Sequence, residues 1–474
     1  MTESVSAWSS SAATALSTIC DVRWSPWCFK QRTKLVLIDS ILRFEQPESD
    51  SLISILDIRD ALFIETRTRR KLRVSYIPGA TYSNFALQPS RMKEISLTLS
   101  SLEEANSWRL KLLSIARPDL AEASQGRGSP VLPPLIVFIN PLGGQMRGRL
   151  VWRLQVRPLL DKAGRSYREV VTKRRGEISD TCANLDSETC SGVIVVGGDG
   201  SAAEAANGLT KRRRVSSGSL PLCVVPCGSS NALAKALGVF SPALAAFYLI
   251  KNIRRSIDGI RLSGEPAEGS LIETELALCA VSLGFLSDVN LMSQGRIWRQ
   301  LLGPARYGLC GARRILCGGS IANYEAEIEI KRLDRNVEEE ENRHTGEGRA
   351  VEASTGSWDI LSPDLWSKNG NAKFAGPGLV LAAHDKTFSV LRFLNKFSTA
   401  NFSDALQHVQ PGIDTIEITP FGRSASLPFS IDGELLRFRR LKLELAEDVV
   451  TVFAATCGYN GGTSKSVTTG TGGR

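Results

Sequence analysis

This 474-residue chain is predicted to fold as an α/β domain running into a β-rich one, with a small β-barrel-like module and a closing helix in front. Three observations predict it. Between residues 133 and 258, continuous apolar runs alternate with glycine turns and helix-like segments, the pattern of a parallel sheet covered on both faces. From residue 259 the rhythm changes to longer alternating strands such as ANYEAEIEIKRL and DTIEITPFG. From about Trp24 to Arg117 the chain reads as short β-like runs, including KLVLID and SLISILDI, closed by a single amphipathic stretch.

The length calls for more than one folding unit, because single cores stop growing near about 250 to 300 residues. Apolar residues make up 42% and charged residues 23%, which excludes a globally disordered chain. The net charge of +9 favours polyanionic partners: nucleotide phosphates, anionic headgroups or nucleic acid. Nucleic acid is disfavoured because the basic residues are not interleaved with aromatics on one element. The ten cysteines have no paired metal-ligand spacing and suit a reducing cytosol. With only His344, His384 and His408 present, a Ser/His/Asp triad or histidine metal site is disfavoured. No apolar run reaches the ~18 residues of a membrane-spanning helix, and the Ser/Ala/Thr-rich start does not read as a signal peptide.

Residues 1–22 are expected to be a disordered tail. Residues 23–117 form the N-terminal module. Its closing helix starts at Ser101, which can cap it, and carries Glu103 and Glu104 in the first turn, where the helix dipole favours acids. Leu102, Ala105, Trp108, Leu112 and Ile115 recur at helical spacing. A basic run, Arg67, Arg69, Arg70, Lys71 and Arg73, lies between strand-like segments and suits anionic headgroups. Residues 118–132 form a Pro/Gly/Ser linker, where a boundary belongs, and the module before it is expected to be dispensable for ATP binding but needed for membrane association. Next come the α/β domain (133–258) and the β-rich domain (259–462). Within the latter, the charged, aromatic-poor stretch 336–356 is expected to be a disordered insertion, as is the tail 463–474.

Three glycine-bearing loops each follow a buried-strand pattern. The first, Asn140-Pro141-Leu142-Gly143-Gly144, follows PLIVFIN; its glycines admit phosphate oxygens to backbone N–H groups, but no Gly-Lys-Ser/Thr follows, so it is not a Walker A loop. The second, Gly197-Gly198-Asp199-Gly200, stands between GVIVV and a helix, and holds a carboxylate at the strand's carboxyl end, where open α/β sheets bind ligands. The third runs from Gly228 through Ser229, Ser230 and Asn231 into a helix whose N-terminus suits phosphate.

In this order and spacing, the three loops, together with Ile431-Asp432-Gly433-Glu434, resemble the catalytic domain shared by diacylglycerol, ceramide and sphingosine kinases. Gly-Ser-Ser-Asn-Ala-Leu-Ala is similar to the sphingosine kinase loop, and LGFLSDVN with LLGPARYGL looks like the region of those kinases that meets lipid and nucleotide. The N-terminal module resembles a pleckstrin-homology domain. The resemblance implies a peripheral, cytoplasmic lipid kinase that uses ATP and Mg²⁺ at an anionic membrane surface and takes a sphingoid lipid as substrate. By the same resemblance Asn140 and Thr172 line the nucleotide; Gly143, Gly144, Gly197, Gly198, Gly200, Ser229, Ser230 and Asn231 hold its phosphates. Arg306 contacts phosphate, Arg296 and Arg299 compete for a second such role, Glu434 lies near the adenosine, and Asp199 is the general base, with Asp432 as rival base or metal partner.

The chain also departs from the family pattern. Where two acids are usual for the lipid's polar head it has Asp288 and Asn290, and an Asn cannot neutralise an ammonium. Gln145 stands where a lysine is common, and the strand region around Trp358 to Gly378 is shortened. Ceramide is therefore the alternative acceptor, and a catalytically dead membrane-binding scaffold the alternative class. NAD kinases share a Gly-Gly-Asp-Gly loop, but the Asn-Glu pair that follows it there is missing here.

Overall fold

The computed structural model describes residues 16–24, 29–68, 70–81, 91–120, 132–141, 143, 146–212, 219–229, 231–267, 275–293, 305–318, 324–331, 350–361, 379–384, 408–420 and 426–455. The first seven strands make one antiparallel sheet: β1 (Leu16–Arg23), β2 (Gln31–Ile38), β3 (Ile41–Glu45), β4 (Leu52–Asp57), β5 (Ala61–Thr68), β6 (Lys71–Tyr76) and β7 (Lys93–Thr98), in the order β4-β3-β2-β1-β7-β6-β5. The helix Leu102–Ala116 closes the module. Ser101 Oγ caps it by accepting from Glu104 N at 3.1 Å, and Ala105, Trp108 and Leu112 face the sheet from its buried stripe. One boundary needs correction. Leu16 to Val22, expected in the disordered tail, belong to β1, because Cys20 and Val22 alternate into the module core.

Parallel strands β8 (Leu135–Ile139), β9 (Tyr167–Val171), β10 (Val193–Gly197) and β11 (Leu222–Pro226) follow, in the order β11-β10-β8-β9. Every residue of β8 and β10 is buried, as continuous apolar runs require in a sheet covered on both faces. Helical segments Gly148–Val151, Trp152–Val156 (a π turn) and Arg157–Lys162 run continuously after the first loop. The helices Asp199–Thr210, Ala232–Ala236 and Pro242–Ile250 complete the cover.

The two expected catalytic units share one 14-stranded sheet. The final strand, Glu434–Phe453, pairs parallel with β11 through Leu222 and Val452, and antiparallel with β12 (Arg254–Pro266). That β12 spans residue 259 shows that the polypeptide changes pattern there without breaking the sheet. Of the expected insertion, residues 336–349 lie outside the described residues. Its end does not: Ala350 to Gly356 begin the strand Ala350–Leu361, whose backbone is satisfied by antiparallel pairing with Tyr324–Lys331. The tail 463–474 lies outside the described residues.

The N-terminal module packs directly on the α/β domain across the linker. Leu62, Phe63, Ile77 and Ala80 of the module belong to the same buried cluster as Trp152, Phe247 and Tyr248. Asp60 accepts from Gly79 N (2.6 Å) and Thr81 N (2.8 Å), which fixes the loop that delivers Ile77 and Ala80 to this contact. Across it Tyr248 Oη donates to the Ala80 carbonyl at 3.0 Å, and Lys251 Nζ donates to that of Arg59. Sequence patterns could not show this, because the contact joins surfaces more than 160 residues apart.

Candidate active site

The carboxyl ends of β8, β9 and β10 and the loop after β11 open onto one cleft of about 460 Å³. Its floor is built from the glycine loops. Asn140 continues the ladder of β8, its N–H donating to Val196 O at 3.2 Å, and its Nδ2 donates to Ser201 Oγ at 2.9 Å, so the first loop is tied to the second. The second and third loops touch by backbone: a Cβ on Gly198 would lie 3.1 Å from Gly228 Cα, and one on Gly228 only 2.5 Å from Gly198 Cα. At Gly228 any side chain would force the loops apart, and at Gly198 one would be tight against the facing backbone. Gly198 stands at the N-cap of Asp199–Thr210 without a side-chain acceptor, and this first turn lines the cleft. A helix N-terminus with no protein cap is suited to an anion.

Asp199 does more than face the cleft. Its carboxylate oxygens accept from Ala232 N at 3.0 Å and Leu233 N at 2.9 Å, so it caps the short helix of the third loop from a distance of 33 residues. Asn231 takes φ 50°, and its Oδ1 accepts from Gly228 N at 2.7 Å, closing that loop on itself. Asp432 and Gly433 both have positive φ (46° and 89°), the backbone of a type I′ turn in the hairpin joining Ile431 to Glu434. The Asp432 carboxylate accepts from Leu278, Cys279 and Ala280 N–H groups at 2.7, 2.9 and 3.0 Å. Burial, and secondarily the nearby Asp199 charge, push its pKa up to about 6 against the lowering effect of those three bonds.

Arg306 is buried at the opposite wall. It donates to Ser229 Oγ at 2.9 Å and to Tyr307 Oη at 2.8 Å, and lies 4.3 Å from the Tyr307 ring centroid. Thr172 hangs from β8 through its N–H to Ile139 O (3.0 Å), and both Thr172 and Gly143 line the cleft. Glu434 meets Arg175 at 2.6 Å across the mouth. Lys173, Arg174 and Arg175 line the same rim, with Glu204 beneath, whose pKa burial raises. None of these four was singled out in the sequence, although a basic triplet directly after a strand of a parallel sheet was the available signal.

The structure therefore gathers Asn140, Gly143, Thr172, Gly198, Asp199, Gly200, Ser229, Arg306, Asp432 and Glu434 around one space. Gly197 ends β10 behind that lining, packed on Ser201. Gly144, Gln145, Ser230, Arg296 and Arg299 lie outside the described residues. Asp288 and Asn290 are not part of the cleft wall. They sit on the helix Phe285–Ser293, where Asn290 Nδ2 donates to Ser430 Oγ at 2.7 Å, two residues before Asp432 in the chain. Among the described residues no three His, Cys, Asp or Glu side chains converge as a metal cage. The donor set fits a magnesium ion carried mainly by phosphates, since that ion needs only one or two protein carboxylates and Asp199 and Asp432 share the cleft. No helix among the described residues is long and apolar enough to cross a membrane.

Comparison with known proteins gives the following similarities. Residues 134–262 match the diacylglycerol kinase catalytic domain family. Among curated proteins, the chain is 30% identical over 232 residues to sphingoid long-chain bases kinase 1 of Arabidopsis thaliana, covering 48% of this chain and 29% of that protein. It is 32% identical over 224 residues to human sphingosine kinase 2 (44% and 32% covered) and 26% identical over 196 residues to human ceramide kinase (38% and 35%). The chain thus spans about a third of the length of these relatives. A diacylglycerol kinase structure from Bacillus anthracis superposes with a TM-score of 0.42 at 16% identity, over 68% of this chain and 96% of that one. The resemblance carried by the glycine loops is borne out at the level of sequence family.

Proposed function

We propose that this chain, which carries a domain of the diacylglycerol, ceramide and sphingosine kinase family, is an ATP-dependent lipid kinase that phosphorylates the primary hydroxyl of a sphingoid base. The observation that carries the reading is the convergence of three glycine loops, Arg306 and the two carboxylates of Asp199 and Asp432 on one cleft. Phosphoryl transfer asks the protein for positioning and charge compensation more than for covalent chemistry. Gly198, Gly200 and Ser229 hold the phosphates, Asn140, Thr172 and Glu434 the nucleoside side, and Arg306 offsets charge on the moving γ-phosphoryl. Asp199 lines the cleft and is fixed there by two N–H donors, which hold its carboxylate toward the acceptor side. It orients that hydroxyl and takes its proton as the new O–P bond forms and ADP departs. Magnesium, when bound, neutralises phosphate charge.

The N-terminal module, seven antiparallel strands closed by a helix around Trp108, supports a pleckstrin-homology-like reading as the membrane-targeting part of a cytoplasmic, peripherally attached enzyme. Ceramide is the second acceptor: the Asn290 amide, spent on Ser430, offers no charge to an ammonium. One experiment separates the readings. Purified protein with labelled ATP and Mg²⁺ is offered sphingosine, ceramide and diacylglycerol in separate micelles. Transfer to sphingosine is expected; transfer to ceramide alone overturns the substrate, and nucleotide binding without transfer to any lipid overturns the enzyme in favour of a scaffold.

A further inference from the structure

The helical run from Gly148 to Lys162 starts against the nucleotide cleft and ends against the N-terminal module. At its start Gly148 packs so closely on the Asn140 carbonyl that a Cβ there would approach to 2.8 Å. At its end Lys162 Nζ lies 4.4 Å from the centroid of the Phe63 ring and 3.0 Å from Glu65 Oε2. Trp152, Val156, Leu159 and Leu160 fill its buried side. Its outer side does not follow the usual rule for such a helix: Leu150 is 56% and Leu154 72% exposed, one turn apart. Arg147, Arg149, Arg153 and Arg157 are exposed around them. Leucines a turn apart, ringed by arginines, fit a bilayer interface, where apolar side chains sink into the headgroup layer and basic ones meet anionic lipid.

This face continues into the module. Glu65 of β5 holds Lys162 on one side and lies 3.9 Å from Arg67 on the other, and its cross-strand partner on β6 is Arg73. The exposed Arg67, Arg70 and Lys71 form the adjoining hairpin tip. The acids on this face sit against basic residues: Asp161 and Glu169 lie 3.6 and 3.7 Å from Arg157.

We propose that the outer face of Gly148–Lys162 and the β5–β6 hairpin form one docking surface for an anionic bilayer, with Leu150 and Leu154 inserted among the headgroups, so that the cleft rim is delivered to the lipid. The inference rests on the lipid-kinase reading for its purpose but not for its test. The full chain is sedimented with phosphatidylcholine vesicles, with and without phosphatidylserine. Leu150→Ser/Leu154→Ser is expected to weaken binding to the anionic vesicles about tenfold. Arg149→Ala/Arg153→Ala weakens it about tenfold or more and flattens its salt dependence, while Arg149→Lys/Arg153→Lys retains it. Adding Arg67→Ala/Arg70→Ala multiplies the loss. All six positions are exposed, so thermal unfolding should be unchanged, and transfer to micellar substrate likewise. Vesicle binding within twofold of the parent protein in both the leucine and the arginine variants overturns the proposal. So does a change in oligomeric state in place of vesicle binding, which would make the face a contact between copies of this chain. Failure to phosphorylate any lipid, with vesicle binding still dependent on Leu150 and Leu154, overturns the kinase reading alone.

Discussion

Gly198 and Gly228 lie back to back, their Cα atoms so close that a methyl group on Gly228 would overlap its partner's backbone. Backbone cannot yield as a flexible side chain can. Gly228→Ala is therefore expected to separate the second and third loops and lower nucleotide affinity about tenfold or more, with a stability loss of about 1–3 kcal/mol, the scale of overpacking. Isothermal titration with ATP analogues and a thermal melt check it, and unaltered affinity would show that the loops do not share the phosphates.

Asp199 has two duties, and two substitutions separate them. Asp199→Asn keeps a side-chain oxygen for one of the Ala232 and Leu233 N–H groups, so nucleotide affinity should stay within about three-fold while lipid phosphorylation falls about 10²-fold or more, the scale of a lost general base. Asp199→Ala also uncaps the helix Ala232–Ala236, costing about 1 kcal/mol of stability besides. If Asp199→Asn retained full transfer, the acceptor hydroxyl would have to be served by Asp432 or by no base at all.

Asp432 predicts a pH dependence of stability. Its pKa is about 6 in the folded protein, against about 3.9 for an ordinary aspartate, so between those values the native state binds the proton more tightly than the unfolded chain does. The stabilisation this gives is fully present below about pH 4 and is lost as pH rises through 6, to a total of at most about 3 kcal/mol. Melting the parent protein beside Asp432→Asn should show the variant gaining relative stability between pH 4 and 7. A constant difference across that range contradicts the buried-carboxylate argument.

The strand–glycine–helix units were legible because each is local: β8, β10 and β11 are continuous apolar runs, and the turn that follows each is written in adjacent glycines. What reading the chain could not supply is whatever joins distant segments through the backbone. Asp199 was legible as an acid in a phosphate loop, but its capping of Ala232 and Leu233 was not, and Asp432 reaches N–H groups more than 150 residues away. Strand Ala350–Leu361 was misread at its start because pairing with Tyr324–Lys331 overrides a composition that looks disordered. Nothing in the sequence separates Leu150 and Leu154 from core leucines, and only the packing of Trp152 and Val156 shows which side faces out.

The contact between module and catalytic domain carries the last prediction. Lys251 lies in that contact over the Phe247 ring, donating to the Arg59 carbonyl, and burial, aided by the Arg117 charge, lowers its pKa to about 7 against the opposing pull of Asp60, Asp57 and Asp119. An unfolded chain holds this proton up to about pH 10.4. Between pH 7 and 10 the unfolded state therefore binds more protons than the native one, and stability contributed at this site rises with pH. Lys251→Met keeps the apolar stem and removes the titration. Its melting temperature relative to the parent should be highest at or below pH 7 and fall toward pH 10. The same contact makes the module more than an appendage: a chain beginning at residue 132 would expose the surface that Leu62, Phe63, Ile77 and Ala80 cover. It should melt at least several degrees lower or aggregate, because that burial is apolar. A truncated chain that melts with the full one and binds ATP equally well would mean that the shared core contributes nothing.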